Sequence, residues 1–267
     1  MSLMTGKVAI VTGATQGIGL GIARRFAREG ARLVVCSRSA ERGPGLLKEL
    51  ADLGADARYV RADVGIKTDV AAVVAEAISA FGKVDVLVNN AQTVPPWEPL
   101  ETKPDSDHEV ALLTGYYASL WSMQAVFPHM RDAGGGRIIN FASAFGIIGA
   151  RYAADYNASK EAIRALTRTA ANEWGRHNIN VNVILPAAES EATKQFKAAD
   201  PEAYRRARSA SPIERHGDPE RDIGGACVAL SIDDGRFITG ESLFVDGGMV
   251  TTKPAQVWKP SVRHDQV

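Results

Sequence analysis

Tyr156 and Lys160 stand one helical turn apart in Tyr156-Asn157-Ala158-Ser159-Lys160, a spacing that puts both side chains on one helix face. A free tyrosine titrates near pH ~10, too high for a base at neutral pH. A nearby lysine ammonium favours the phenolate and is expected to lower that value. The pair could then give a proton to a carbonyl oxygen during reduction and take one back during oxidation. Ser143 lies thirteen residues before Tyr156, just past the apolar run Ile138-Ile139-Asn140-Phe141. Its hydroxyl could equally cap or turn the chain.

Short apolar runs alternate with amphipathic stretches along the rest of the chain. Strands are expected at Val8 to Val11, Leu33 to Val35, Tyr59 to Val60, Val84 to Val88, Ile138 to Phe141, Val181 to Leu185 and Leu243 to Val245. Helical spacing relates Ile18, Ile22, Phe26 and Ala27, then Leu46, Leu47, Leu50 and Leu53, then Val70, Val73, Val74, Ala77 and Phe81. Further helices are expected to end near Met130, to run from about Tyr156 to Trp174, and to run from Ile223 to Leu230. Strands that are almost continuously apolar and alternate with helices imply a mainly parallel sheet covered on both faces. The expected fold is therefore α/β, a single doubly wound Rossmann-like domain with a seven-stranded sheet. Residues 1–250 form that domain and 251–267 a C-terminal tail, with Met1 to Leu3 read as an added leader before Met4.

Composition narrows the partners. The 267 residues carry 31 basic and 31 acidic side chains, so the formal net charge is zero, and nothing favours nucleic acid or an anionic membrane. The run around Arg205, Arg206 and Arg208 reads as a solvated helix face. No apolar run approaches the ~20 residues of a membrane span. Cys36 and Cys227 are the two cysteines and have no metal-like spacing, so no metal site and a reducing, cytoplasmic setting are expected.

Directly after the first strand comes Thr12-Gly13-Ala14-Thr15-Gln16-Gly17-Ile18-Gly19. Glycines there let the backbone turn sharply and approach a pyrophosphate, while the N–H groups of the following helix face the anion. The second strand ends Cys36-Ser37-Arg38-Ser39 without the carboxylate that would bind a ribose 2′-hydroxyl and repel a 2′-phosphate. Arg38 offers a charge-assisted fork to a phosphate and Ser37 a hydroxyl, so NADP is expected over NAD.

With this spacing the sequence resembles the short-chain dehydrogenase/reductase family from about Lys7 to Gly248. The resemblance includes Asp63-Val64, Asn89-Asn90-Ala91, Ile238-Thr239-Gly240 and Val245-Asp246-Gly247-Gly248. It implies a catalytic set of Ser143, Tyr156 and Lys160, in which Ser143 holds the substrate oxygen and Lys160 also holds the nicotinamide ribose. It implies a dinucleotide site built from Gly13, Thr15, Gln16, Gly17, Ile18, Gly19, Ser37, Arg38, Asp63, Val64, Asn90, Ala91, Tyr156, Lys160 and Pro186. The implied reaction is hydride transfer between NADP(H) and a carbonyl or secondary alcohol, and the implied assembly is a homotetramer. Gln16 stands where NADP-preferring relatives often carry a second basic residue.

The chain departs from the family near the nicotinamide. The fourth-helix asparagine of the family's proton relay aligns with Gly115 or Leu112, and no asparagine occurs between Ala91 and Arg137. Gln92 and Ala187 replace glycines and are expected to reshape their loops, and Glu191 replaces a threonine. A bend at Gly115 with room for water is one way the relay could survive. These departures leave two other readings open: a catalytically weakened NADP-binding regulatory protein, or epimerisation or dehydration on bound cofactor. Two irregular segments, Gln92 to Asp107 with four prolines and Ala187 to Gly217, follow strands and are candidate pocket walls. Trp97, Tyr152 and Phe196 in or near them could contact a bulky apolar substrate.

Overall fold

Runs that are apolar at nearly every position become the strands of one parallel sheet in the computed structural model, which describes residues 2–189, 193, 197–209 and 211–250. The strands are β1 (Val8–Thr12), β2 (Arg32–Ser37), β3 (Ala57–Arg61), β4 (Val86–Asn89), β5 (Gly136–Phe141), β6 (Ile179–Pro186) and β7 (Ser242–Val245). Their order is β3-β2-β1-β4-β5-β6-β7. Every neighbouring pair is parallel, for example Ile10 opposite Val34 and Leu87, and Ile138 opposite Val181. The five inner strands are buried almost throughout, whereas β3 and β7 at the edges are partly exposed. That contrast is what a sheet covered on both faces requires.

Alternate residues of each strand feed two cores. Ala9, Val11, Leu33, Val35, Val86 and Val88 meet Ile22 and Phe26 of α1 (Gly17–Arg28), together with Leu46 and Leu50 of α2 (Gly43–Asp52). Ile10, Val34, Leu87, Ile138 and Val181 meet Val73, Val74 and Ala77 of α3 (Lys67–Phe81) on the opposite face. At roughly 1.5–3 kcal/mol for each large apolar side chain removed from water, these two layers supply most of the drive for folding.

The helix expected to end near Met130 is three pieces. α4 (Asp105–Leu112) runs into a π turn at Leu113–Tyr117, which continues as α5 (Ala118–Asp132). α4 also begins inside the proline-rich segment expected to be irregular. A five-residue helix α6 (Ala144–Ile148) follows β5, ahead of α7 (Ala154–Trp174). The segment after β6 holds α8 (Pro201–Ser209), and a second π turn at Pro219–Ile223 leads into α9 (Gly224–Ser231). No described helix is long and apolar enough to cross a membrane. Glu191, Phe196 and the tail 251–267 lie outside the described residues, as do the side chains of Arg206 and Arg208.

Candidate functional site

The strand order reverses between β1 and β4, and the crevice beyond their carboxyl ends is where an open parallel sheet accepts ligands. The chain closes tightly there. Thr12 Oγ1 accepts from the Asn90 and Ala91 amides at 3.0 Å each, and Asn90 Nδ2 donates to the Thr12 carbonyl at 2.9 Å. Gly13 adopts φ +69°, and a Cβ on Gly19 would lie 2.3 Å from the Gly13 carbonyl oxygen. Glycine is therefore required at both positions, by backbone sign at one and by close approach at the other.

A groove of about 520 Å³ opens along this crevice. It is lined by Gly13, Thr15, Gln16, Gly17, Ile18, Ser37, Arg38, Asp63, Val64, Asn90 and Ala91 of the residues expected to hold a dinucleotide. Gly19 lies beneath it, packed on Gly13 and Asn90. Pro186 ends β6, and Tyr156 and Lys160 lie on α7; none of these three lines the groove. Ser39, Arg42 and Ala62 line it outside the expected dinucleotide set, and Gln92 and Thr93 line it from the segment expected to form a pocket wall.

Arg42 donates to Gln16 Oε1 at 2.6 Å, so the residue that replaces a second basic side chain instead steadies one from a neighbouring turn. The signal was present as Arg38-Ser39-Ala40-Glu41-Arg42, where two cations recur at a one-turn spacing. Ser37 shares its hydroxyl with the Tyr59 phenol at 2.7 Å, and Tyr59 also donates to the Ser39 carbonyl at 2.5 Å. The turn after β2 is thereby fixed while Arg38 stays exposed.

At the end of β5, Ser143 caps α6 by accepting from the Phe145 amide at 3.2 Å. The capping and catalytic readings of Ser143 are compatible, because the same hydroxyl interacts with Tyr156. Burial pushes the Tyr156 phenol above its ordinary range, and the Ser143 hydroxyl opposes that rise. The expected lowering of Tyr156 by Lys160 is not found. The lysine Nζ lies over the ring, 5.3 Å from its centroid, and donates to the Phe141 carbonyl at 2.8 Å. Lys160 itself is the strongly perturbed cation, pushed down to about 7 by complete burial. A lysine that titrates near neutrality can hold or release a proton at working pH.

Beneath these residues runs a buried polar chain. Ser122 donates to Asn89 Oδ1 at 2.7 Å, Asn89 Nδ2 to Asn140 Oδ1 at 2.9 Å, and Asn140 Nδ2 to Thr167 Oγ1 at 2.9 Å. It ties α5, β4, β5 and α7 together directly under the site. Asn140, Ser122 and Thr167 were not singled out in the sequence, since isolated polar residues within apolar runs carry no spacing signal.

Gln92 and Ala187 are not among the residues with positive φ, so replacing glycine leaves no backbone strain at either. Tyr152 is different: its φ is +68°, and its carbonyl accepts from the Glu98 amide at 3.0 Å. This contact ties the proline-rich segment to the turn before α7. Trp97 packs edge-on against Phe145, with ring centroids 5.5 Å apart. Ile147 and Ile148 of α6, just after Ser143, are exposed as well, and so are Val94 and Tyr152.

Known proteins resemble the chain in sequence and fold. A family model described as Enoyl-(Acyl carrier protein) reductase matches residues 13–250. The 12alpha-hydroxysteroid dehydrogenase of a Clostridium species is 39% identical over 256 residues, covering 93% of this chain and 98% of the relative. The solved structure of L-sorbose reductase from Gluconobacter frateurii, complexed with NADPH and L-sorbose, superposes with a TM-score of 0.87 at 32% identity. That match covers 94% of this chain and 100% of the other. NAD+-bound xylitol dehydrogenase gives 0.86 at 32% identity, covering 92% and 99%. Strand order, glycine turn and relatives of full length agree: the chain belongs to the short-chain dehydrogenase/reductase family of oxidoreductases.

Proposed function

We propose that the protein is an NADP(H)-dependent dehydrogenase/reductase that interconverts a secondary alcohol and its ketone, with Tyr156 as general acid and base. The observation that carries this reading is the meeting of Ser143, Tyr156 and a buried Lys160 at the end of β5. Ser143 would hold the substrate oxygen, Tyr156 would move its proton, and Lys160 would supply the titrating charge. A reduced nicotinamide dinucleotide in the groove would supply the hydride.

The groove fits such a cofactor. Gly13 and Gly17 bring bare backbone to its floor at positive φ, and α1 presents its N-terminus there. Arg38 and Arg42, with no carboxylate at the end of β2, favour a 2′-phosphate over a bare ribose, and therefore NADP over NAD. Asp63 and Val64 would flank the adenine, and Asn90, Ala91 and Pro186 the nicotinamide side.

The exposed side chains of Val94, Trp97, Phe145, Ile148 and Tyr152 support a substrate with a bulky apolar body. A rigid alicyclic alcohol, the class named for the Clostridium relative, fits them better than a sugar. A homotetramer in a cytoplasmic setting is proposed with the family resemblance.

The reading is tested by titrating NADPH and NADH and then assaying a panel of alicyclic, aromatic and polyhydroxy ketones. Tyr156→Phe is expected to retain NADPH binding with the loss of one contact and to lose about 10³-fold in turnover. NADPH binding with turnover that does not depend on Tyr156 would refute it.

A further inference from the structure

Gly115, one of the two positions aligned with the family's missing amide, has its side-chain space filled from elsewhere. Gly115 sits inside the π turn, and a Cβ built on it would lie 2.7 Å from Gln92 Nε2 and 3.0 Å from Gln92 Cδ. It would also lie 2.2 Å from Ser159 Oγ. The carboxamide of Gln92 thus reaches from the end of β4 into space that any side chain at 115 would occupy. The adjoining backbone is held as well, since the Thr93 amide donates to Thr114 Oγ1 at 3.1 Å.

Hydrogen bonding fixes which way this amide faces. Gln92 Nε2 donates to Ser159 Oγ at 3.0 Å and to the Ala111 carbonyl at 3.3 Å, and Ser159 Oγ donates to the same carbonyl at 2.8 Å. A carbonyl only accepts, so the nitrogen must lie on that side. Gln92 Oε1 is then left buried, with no hydrogen-bond partner among the described residues. A buried amide oxygen without a donor is unfavourable, and a bound water is the usual remedy. Ser159, which anchors the amide, immediately precedes Lys160 on α7, and Gln92 also lines the cofactor groove.

We propose that Gln92 is the positioning residue of the proton path: its Oε1 holds the water through which Lys160 exchanges protons with solvent, in place of the missing fourth-helix asparagine. Gly115 is then the complementary half of the device, kept bare to admit the Gln92 side chain. The inference rests on the hydride-transfer reading above. In the reductive direction an O–H bond breaks at Tyr156 and one forms on the substrate oxygen. Tyr156 recovers its proton by way of Lys160, and an N–H bond broken at Lys160 re-forms from the water held at Gln92. One proton leaves bulk solvent for each hydride delivered, so charge and atoms balance.

Gln92→Met keeps the length of the side chain and removes the acceptor. It is expected to leave NADPH affinity and KM within about threefold, to lower kcat about 10²-fold, and to displace the kcat–pH profile by about one unit or more. A second route avoids dependence on that one variant. In a Gln92→Gly, Ser159→Ala background, Gly115→Asn returns an amide from the helix and is expected to raise kcat about tenfold or more. Wild-type kcat and pH profile in Gln92→Met would overturn the proposal. So would a uniform loss at all pH values with no gain from Gly115→Asn, which marks a merely structural role; if Gln92→Met does not fold, the presence or absence of that gain decides. Tyr156→Phe, run alongside, separates the two levels. Tyrosine-dependent turnover that ignores Gln92 overturns this inference alone, whereas tyrosine-independent turnover overturns the underlying reading as well.

Discussion

Replacing Lys160 by Met should abolish turnover and yet stabilise the free protein, in a way that depends on pH. Lys160 is completely buried, and burial lowers its pKa from 10.5 to about 7. In the unfolded chain it stays protonated up to the higher value. Between those two values the unfolded state therefore binds more protons, and stability rises with pH. Below about 7 the lysine is charged in both states and contributes no further slope. From pH 6 to pH 9 the wild type should gain about 3 kcal/mol relative to Lys160→Met, from roughly two pH units between about 7 and 9. Subtracting the variant removes other titrations, including that of Tyr156, whose raised pKa acts only at the alkaline end. At neutral pH the variant should be the more stable, by less than the full burial penalty because the Phe141 carbonyl loses its donor. Urea unfolding of both proteins at several pH values and one fixed concentration measures the difference. Parallel stability–pH curves would refute the reasoning, since they would mean that Lys160 is not desolvated in the folded state.

Two further outcomes are expected. Arg38→Asp combined with Arg42→Ala should weaken NADPH binding about 10²-fold or more and improve NADH binding, read by fluorescence titration, because two charge-assisted contacts are lost and a repulsion is added. Lys103→Met should destabilise the protein by about 3 kcal/mol in urea, leaving Asp155 buried without its cation, while Lys103→Met with Asp155→Leu should recover much of that loss.

The sheet and the glycine turn were legible because their signals are local. Inner strands of a parallel sheet must be apolar on both faces, so Val8 to Val11 and Val181 to Leu185 announce themselves without any knowledge of their neighbours. Gly13 and Gly19 are legible for a related reason: few other roles place glycines at that spacing between a strand and a helix. The short helix Ala144–Ile148 was not legible, since it has Phe145, Ile147 and Ile148 exposed rather than an apolar stripe. Nor was the π turn, whose extra residue per turn leaves no periodic mark. Gln92 lies 67 positions from Ser159 and Lys103 lies 52 from Asp155, and partners so distant become visible only when the fold closes. Arg42 was overlooked for a weaker reason, because its pairing with Gln16 depends on how the turn after β2 folds back over α1.

Two buried lysines show why Lys160, rather than Lys103, suits the proton-handling role proposed above. Lys103 has its side chain fully enclosed, with the Asp107 carboxylate at 3.1 Å, that of Asp155 at 3.2 Å and the Pro96 carbonyl in contact. Burial works against its charge, but the two carboxylates more than offset that and hold the ammonium above its ordinary value. It is a fixed cation at any working pH, and it ties the proline-rich segment to the start of α7. Lys160 is also buried but meets a carbonyl instead of a carboxylate, and burial brings its pKa down to about 7. Asp155 is adjacent to Tyr156 in the chain. Asp155 pairs with Lys103, while burial acts on both Tyr156 and Lys160 and the Ser143 hydroxyl acts on Tyr156. The Lys103–Asp155 pair therefore does more than fasten a loop. It also gives the carboxylate beside Tyr156 a cation of its own, so that burial is left as the influence on the charge of Lys160.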